Sequence, residues 1–360
     1  MRILGIESSC DETAAAIVED GKRLLSNVVH SQIDIHAQYG GVIPEIAARS
    51  HIEVVNPVIK QALDEANCSW DDIDAVAVTY APGLIGSLLV GSLAARALAV
   101  LHDKPLYKVH HVEGHIYANF VTEQSDNALA LPEVAPAFPM LALAVSGKHS
   151  ELVYFRGHGD FDLLGETQDD AIGEAFDKVA KIIGLPYPGG PAISRLAMEG
   201  DARRYDLPVS HLTNPYDFSF SGLKTATLRA IQRETGVDYR FPSYQLAGRL
   251  TERQKADFAA SFQYTAVKTL VNATKKAFRE LSPSSVVIAG GVAANGELRR
   301  QLSEALPLAI AYAPIQLCTD NAVMIAALGY YYAQVKSPDD AFDIEVEPSL
   351  SLEGMSWARP

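Results

Sequence analysis

His111 and His115 stand four residues apart in the run His110-His111-Val112-Glu113-Gly114-His115. On a helix, that spacing projects both side chains from one face. Two neutral imidazoles with a distant carboxylate make a reasonable shell for a divalent transition metal that keeps open coordination positions. The run Cys318-Thr319-Asp320-Asn321 is a candidate source of that carboxylate. The histidine run is not the zinc-protease pattern, in which Glu directly follows the first His; here Val112 does. The pair therefore suggests an ion that holds a ligand rather than one serving a Glu-activated water. A hydrogen-bonded histidine pair on a partly buried helix satisfies the same spacing, and spacing alone does not separate the two.

Further chemistry is carried by glycine-rich turns. These are Ala81-Pro82-Gly83-Leu84-Ile85-Gly86, Ser146-Gly147, Pro188-Gly189-Gly190-Pro191 and Ala289-Gly290-Gly291-Val292-Ala293-Ala294-Asn295. Each lies after a strand-like run or before a helical one, where backbone N–H groups can approach phosphate oxygens. Turns use Gly for φ > 0 regardless, so the last is the most informative: a buried-strand run precedes it, and Asn295 can hydrogen-bond a ribose or base. Neither GxGxxG nor GxxxxGK[ST] occurs, so Rossmann and P-loop readings fail. Asp170, Glu174 and Asp177 fall at helical spacing on one face, where carboxylates repel. A polyol, a metal, Lys178 or plain solvent exposure could relieve them. Ser146, Lys148 and His149 resemble a nucleophile with a base, but no third orienting group accompanies them.

These residues need elements to position them. Ile3–Glu7 and Ala14–Val18 read as strands around the polar turn Ser8–Thr13, and a helix is expected from about Glu45 to Ala66. A strand at Ala75–Thr79 leads into an Ala- and Leu-rich helix, and a strand at Leu106–Val109 delivers the His pair to the next helix. The second half opens in the same way: Met140–Val145, the turn Ser146–His149, then Glu151–Phe155. Strands then alternate with helices at Asp170–Ile183, Phe258–Leu281 and Asp320–Tyr332, which indicates α/β lobes. The three prolines and absent periodicity of Val121–Pro139 mark an inter-lobe segment, and Arg240–Gln254 reads as a loop-like insertion.

Bulk properties bound the class. A 360-residue chain exceeds the comfortable size of one core, and 48% hydrophobic with 21% charged residues excludes a disordered chain. The apolar stretch Ile85–Leu101 is rich in small residues and carries Arg96, so it is expected as a buried helix and not a membrane span. The start Met1-Arg2-Ile3-Leu4 runs straight into a strand without a secretory segment, and Cys10, Cys68 and Cys318 show no CxxC pairing; a cytoplasmic location is expected. Net charge is −14, yet Arg195–Arg300 holds 16 Lys/Arg against 10 Asp/Glu. A basic lobe on an acidic protein can hold a phosphate backbone, and solvated helix faces explain the same pattern.

Taken together, the motifs resemble the universal tRNA threonylcarbamoyladenosine transferase family (TsaD/Gcp, formerly labelled O-sialoglycoprotein endopeptidase). The residues that carry the resemblance are Gly5–Thr13, Pro82–Gly91, His111–His115, Gly173–Lys178, Tyr187–Pro191, Phe218–Thr225 and Gly290–Asn295, in order along the chain. The resemblance implies an α/β fold of two duplicated RNase H-like lobes of the actin/hexokinase/Hsp70 (ASKHA) type, with a ligand cleft between them. The expected lobes are 1–120, completed by the C-terminal helix at about 325–360, and 140–324, joined by 121–139.

It also implies transfer of a threonylcarbamoyl group from threonylcarbamoyl-AMP to N6 of the adenosine 3′ of the anticodon in tRNAs reading ANN codons. The family's metal ligands fall on His111, His115 and Asp320, for one divalent ion, iron before zinc. Its donor contacts fall on Ala144, Val145, Ser146, Gly147, Lys148, Asp177, Gly190 and Asn295, with Ser194 a further candidate. Asp177 and Asn295 are expected to hold the adenylate from opposite lobes. No protein nucleophile is implied. Implied partners are tRNA, a paralogous inactive subunit of the same fold (TsaB-like) and a P-loop ATPase subunit (TsaE-like). The donor would be made by a separate YrdC-like synthase. Two departures stand out: Lys148 where the family usually has Gly, and Ala293 where Ser is common. A metabolite kinase of the same fold is the alternative, and it would need a catalytic Asp over a substrate hydroxyl. A metalloprotease is disfavoured by Val112, and a non-catalytic scaffold by the presence of both histidines and Asp320.

Overall fold

The computed structural model describes residues 1–124 and 129–357. Strands β1 (Arg2–Glu7), β2 (Glu12–Glu19), β3 (Arg23–Ser31), β4 (Ala75–Ala81), β5 (Leu106–His110) and β6 (Glu123–Gln124) form one sheet in the order β5-β4-β1-β2-β3-β6. Strands β7 (Met140–Val145), β8 (Ser150–Gly157), β9 (Asp160–Glu166), β10 (Ser285–Ala289) and β11 (Ile310–Ala311) form a second, in the order β11-β10-β7-β8-β9. Each sheet opens with an antiparallel hairpin, β1 with β2 and β7 with β8. Each then adds a parallel strand beside the first, β4 next to β1 and β10 next to β7. Without β6 the two strand orders correspond position for position, so one topology occurs twice.

The helices are α1 (Ile33–Ala37), α2 (Pro44–Glu65), α3 (Ile85–Leu101), α4 (His111–Tyr117), α5 (Ile172–Ile183), α6 (Gly189–Ala197), α7 (Ser221–Glu234), α8 (Glu252–Leu281), α9 (Gly296–Ala305), α10 (Ile315–Cys318) and α11 (Val323–Val335). Strand β4 is buried at every position and reads Ala-Val-Ala-Val-Thr-Tyr-Ala, the near-continuous apolar run of a parallel strand covered on both faces. Burial of Leu4, Ile6, Ile17, Val76 and Val78 builds the first core, each worth about 1.5–3 kcal/mol relative to exposure.

Two compact units result. The first takes residues 1–137 as far as they are described, 156–162, and the chain from Ala311 onward; the second takes 138–155 and 163–310. The division therefore falls at 310/311 and not at 324, because Ala322 and Ala326 in and before α11 pack directly on Gly5 of β1. Residues 121–124 and 129–137 of the expected inter-lobe segment belong to the first unit; 125–128 lie outside the described residues. The expected C-terminal helix at 325–360 is α11 alone, followed by irregular chain; 358–360 lie outside the described residues.

Other expectations change in detail. Helix α8 starts six residues earlier than expected, at Glu252, because Thr251 and Gln254 form a capping box. The middle of the expected 240–254 insertion is a short 3₁₀ turn, Ser243–Arg249, anchored by buried Leu246. Helix α3 is buried on one side only: Ile85, Leu89, Leu93, Val100 and Leu101 are exposed, as is Ile52 of α2. Among the described residues no helix is long and apolar enough to cross a membrane.

Candidate functional site

In the first unit, the β1–β2 turn and the start of α4 bring their polar residues together. The turn is fixed from several sides. Leu84 N–H donates to Ser9 O at 2.7 Å, and Ser87 Oγ and His51 Nε2 donate to Cys10 O at 3.1 and 3.0 Å. Because His51 Nε2 donates to a carbonyl, its Nδ1 accepts from Thr13 Oγ1 at 2.6 Å, which makes the ring neutral. Burial lowers its pKa in the same direction.

His111 and His115 lie on α4, with ring centroids 4.6 Å apart at 78°. His111 Nδ1 lies 3.0 Å from Glu7 Oε2 and 3.1 Å from Ser9 Oγ. A carboxylate only accepts, so Nδ1 carries a proton, and in the neutral ring Nε2 is the atom whose lone pair is left to ligate. That lone pair points where Asp320 is: Asp320 Oδ1 is 3.5 Å from His111 Nε2 and 3.1 Å from His115 Nε2. The ligand atoms of the three residues lie within 4.8 Å of one another. Burial lowers the pKa of His115, so the imidazole is neutral and available as a ligand.

Glu7 is fully buried and accepts three hydrogen bonds, from Ser9 N–H at 2.5 Å, Thr79 Oγ1 at 2.5 Å and His111 Nδ1. Burial opposes its ionisation, but His111 and the Thr79 hydroxyl outweigh it and hold the carboxyl below the ordinary range. Glu12 shows the opposite balance. Burial, then Asp320 and Asp11, push it up to about 9. Two imidazoles and a carboxylate whose ligand atoms converge are a donor set that suits a divalent cation, so His111, His115 and Asp320 fit a metal ion. Glu113, between the two histidines, faces away from them; Tyr332 Oη and Trp357 Nε1 donate to it at 2.8 and 2.7 Å.

The second unit gathers the remaining candidates. Ala144 and Val145 end β7, and the turn closes with Ser146 N–H on His149 O at 2.8 Å. Ser146 Oγ accepts from Lys148 N–H and His149 N–H at 3.3 and 3.1 Å, so it braces the turn. Lys148 is exposed. Gly290, at φ 84°, lies so close to Val145 O that a Cβ would collide with the carbonyl. A Cβ on Gly173 would stand 2.6 Å from Ser146 O, so the start of α5 sits against the same turn. Asp177, further along α5, accepts from Gly189 N–H at 2.7 Å, and beyond it Gly190 faces open space.

Asn295 is more constrained than its sequence position suggests. Its Oδ1 caps α9 by accepting from Leu298 N–H at 3.1 Å. Its Nδ2 donates to Ser194 Oγ at 3.0 Å and Gln263 Oε1 at 2.9 Å, which occupies both amide protons. Toward a ligand, Asn295 therefore offers only the second lone pair of Oδ1. Two expectations change here. Asp177 and Asn295 belong to the same unit, not to opposite lobes. Asp170, Glu174 and Asp177 are not a stacked triad: Asp170 precedes α5, and Lys178 neutralises Asp170 and Glu174 at 2.7 Å each, with Lys224 also on Asp170 at 2.7 Å. Sequence reasoning gave no role to Glu7, Ser9 or Gln263. Glu7 alone left a signal, as an ionisable residue following the apolar run Ile3–Ile6.

Comparison with known proteins sharpens the picture. The profile of the family described as TsaD, tRNA N6-adenosine threonylcarbamoyltransferase, matches residues 23–327. A protein of Symbiobacterium thermophilum named tRNA N6-adenosine threonylcarbamoyltransferase is 51% identical over 353 residues, covering 97% of this chain and 96% of its own. One of the same name from Thermomicrobium roseum is 49% identical over 359 residues, covering 98% and 97%. Full-length HypF, in its phosphate- and nucleotide-bound form, is similar in fold alone: TM-score 0.57 at 14% identity over 92% of this chain and 46% of that one. Its likeness accords with the duplicated ASKHA topology. With a profile match over most of its length and relatives near half identity, this chain belongs to the tRNA N6-adenosine threonylcarbamoyltransferase family.

Proposed function

We propose that this protein transfers the threonylcarbamoyl group of threonylcarbamoyl-AMP to N6 of the adenosine 3′ of the anticodon in tRNAs that read ANN codons. The observation that carries the reading is near-half identity to transferases of that name over almost the full chain. The convergence of His111, His115 and Asp320 supports it.

His111, His115 and Asp320 would hold one divalent ion, iron before zinc, and when bound such an ion supplies Lewis-acid polarisation of the carbamoyl carbonyl. The chain's own residues prepare that site. Glu7 fixes the His111 tautomer with Nε2 outward, and Ser9 backs the same ring. In the second unit the Ala144–Lys148 turn, Asp177, Gly190 and Asn295 would bind the donor. Backbone N–H groups of the turn suit phosphate oxygens, and Asp177 suits ribose hydroxyls. The exocyclic amine of adenosine is a weak nucleophile, so positioning and stabilisation of the developing oxyanion dominate over covalent catalysis. The new bond joins N6 to the carbamoyl carbon, the mixed-anhydride C–O bond breaks, and AMP leaves as the amine sheds a proton.

A paralogous TsaB-like subunit, a TsaE-like ATPase and a separate YrdC-like donor synthase complete the proposed system. The exposed row Ile85, Leu89 and Leu93 on α3 with Ile52 on α2 supports one docked partner subunit. A cytoplasmic location is consistent with Cys10, Cys68 and Cys318, which form no disulfide. Elemental analysis of purified wild type and the double variant His111→Ala, His115→Ala tests the metal assignment. One equivalent in wild type and none in the variant supports it; full occupancy in the variant refutes it.

A further inference from the structure

The segment joining α7 to α8 carries two exposed aromatic rings, Tyr239 and Tyr244, at 61% and 73% exposure. Tyr239 is held from several sides. The carbonyl of Tyr239 accepts from Gln232 Nε2 at 3.2 Å and Arg229 Nη1 at 3.3 Å, both on α7. Arg240 Nε donates to Tyr239 Oη at 3.0 Å, its own N–H is taken by Asp238 Oδ1, and Leu246 anchors the following turn in the core. Guanidinium groups flank Tyr239 and its neighbour Phe241. Arg229 and Arg240 lie 5.7 and 5.3 Å from the Tyr239 ring centre, and Arg249 lies 4.7 Å from that of Phe241.

Two further observations indicate what such a surface is for. Among the described residues Arg229, Arg233, Arg240 and Arg249 make no ion pair, whereas Arg2, Arg23, Arg156 and Arg300 each pair with carboxylates. In a chain of net charge −14, guanidiniums gathered without carboxylate partners attract anions. The exposed large apolar side chains between residues 213 and 311 are these two tyrosines, with no aliphatic one beside them. Rigid aromatic rings flanked by arginine match the way proteins hold unstacked bases and their phosphates.

We propose that Tyr239 and Tyr244, with Arg240 and Arg249, form a stacking platform for an unpaired segment of the RNA acceptor. The proposal rests on the transferase reading for the identity of that RNA. It assigns a role to the 240–254 segment that the donor and metal groups leave unused.

The test is tRNA binding to the full chain by fluorescence anisotropy across a salt series. The double variant Tyr239→Ala, Tyr244→Ala is expected to bind unmodified tRNA at least tenfold more weakly, since a stacked base contributes that much per ring. Its thermal midpoint and donor-analogue affinity should stay unchanged. The double variant Tyr239→Phe, Tyr244→Phe should stay within about threefold of wild type, because the rings remain. Arg240→Gln with Arg249→Gln should lower the slope of log K against log salt by about two. An isolated anticodon stem-loop that reproduces the full effect identifies the loop as the bound segment; an effect confined to full-length tRNA identifies another unpaired region. Wild-type tRNA affinity in the alanine variant overturns the platform and leaves the transferase reading standing, as does a defect confined to binding of a protein subunit. Failure of the wild-type chain to bind tRNA overturns the platform, and absence of modified nucleoside in a transfer assay overturns the reading beneath it.

Discussion

Replacing Glu7 by Gln removes one charge at nearly constant volume, 3.0 Å from an imidazole that would hold the metal. The carboxylate divides its donors: Oε1 takes Ser9 N–H, and Oε2 takes Thr79 Oγ1 and His111 Nδ1. A glutamine has one acceptor oxygen, so one side must meet an NH₂ group. If the amide faces His111, the ring adopts the other tautomer, with its proton on Nε2, where it cannot ligate. If it faces Ser9, a buried backbone N–H loses its partner, at a cost of about 1–3 kcal/mol. The first arrangement removes a ligand's orientation, which costs about ten- to hundredfold in metal affinity, or about 1.4–2.8 kcal/mol. The assay is competition of Glu7→Gln with a chelator for Zn²⁺ and Fe²⁺, with thermal unfolding in parallel. We expect metal affinity to fall by that factor while the protein stays folded. Wild-type affinity in the variant refutes the claim that Glu7 sets the His111 tautomer.

Burial pushes Glu113 up to about 7 from 4.5, against the hydrogen bonds from Trp357 and Tyr332. The folded state therefore holds this proton more tightly than the unfolded one, and its contribution to stability is lost as pH rises from 4.5 through about 7. Relative to Glu113→Gln, wild type should lose about 3 kcal/mol across that window, by denaturant unfolding at each pH; parallel curves contradict this. Asp177→Ala should weaken calorimetric binding of a non-hydrolysable donor analogue about ten- to hundredfold with metal content unchanged, because a charged hydrogen-bond partner contributes about 1.5–3 kcal/mol. Retained affinity places the donor elsewhere. Gly290→Ala should lower stability by about 2 kcal/mol or more, because it combines a left-handed backbone with a collision against Val145 O; an unchanged denaturation midpoint counts against it.

Sequence reasoning succeeded where pattern and structure share a cause. Met140–Val145 is apolar throughout because it is the central strand of its sheet, and β7 has those same bounds. The His111 and His115 spacing is helical because both lie on α4. Strand β3 was invisible: Arg23–Ser31 mixes Ser, Asn and His with apolar residues, and its burial fades toward one end. The start of α8 was hidden because a polar, exposed first turn is set by the Thr251–Gln254 cap and not by periodicity. Helix α3 is expected to be buried because hydrophobicity alone cannot separate a core face from an exposed one. The role of Glu7 was unreadable because its partner lies 104 residues away, as was the tie between Asn295 and Gln263, which depends on how α8 passes α9. The opposite-lobe assignment of Asp177 and Asn295 failed because chain separation, 177 against 295, says nothing about which unit a segment rejoins.

The central claim is tested most directly by incubating the purified protein, with the subunits that copurify with it, with synthetic threonylcarbamoyl-AMP and unmodified tRNA of an ANN-reading species. Nucleosides from the digested tRNA are then quantified by mass spectrometry beside released AMP. The account predicts N6-threonylcarbamoyladenosine in step with AMP for wild type and neither for His111→Ala. AMP release without the modified nucleoside, or undiminished transfer by His111→Ala, would contradict it.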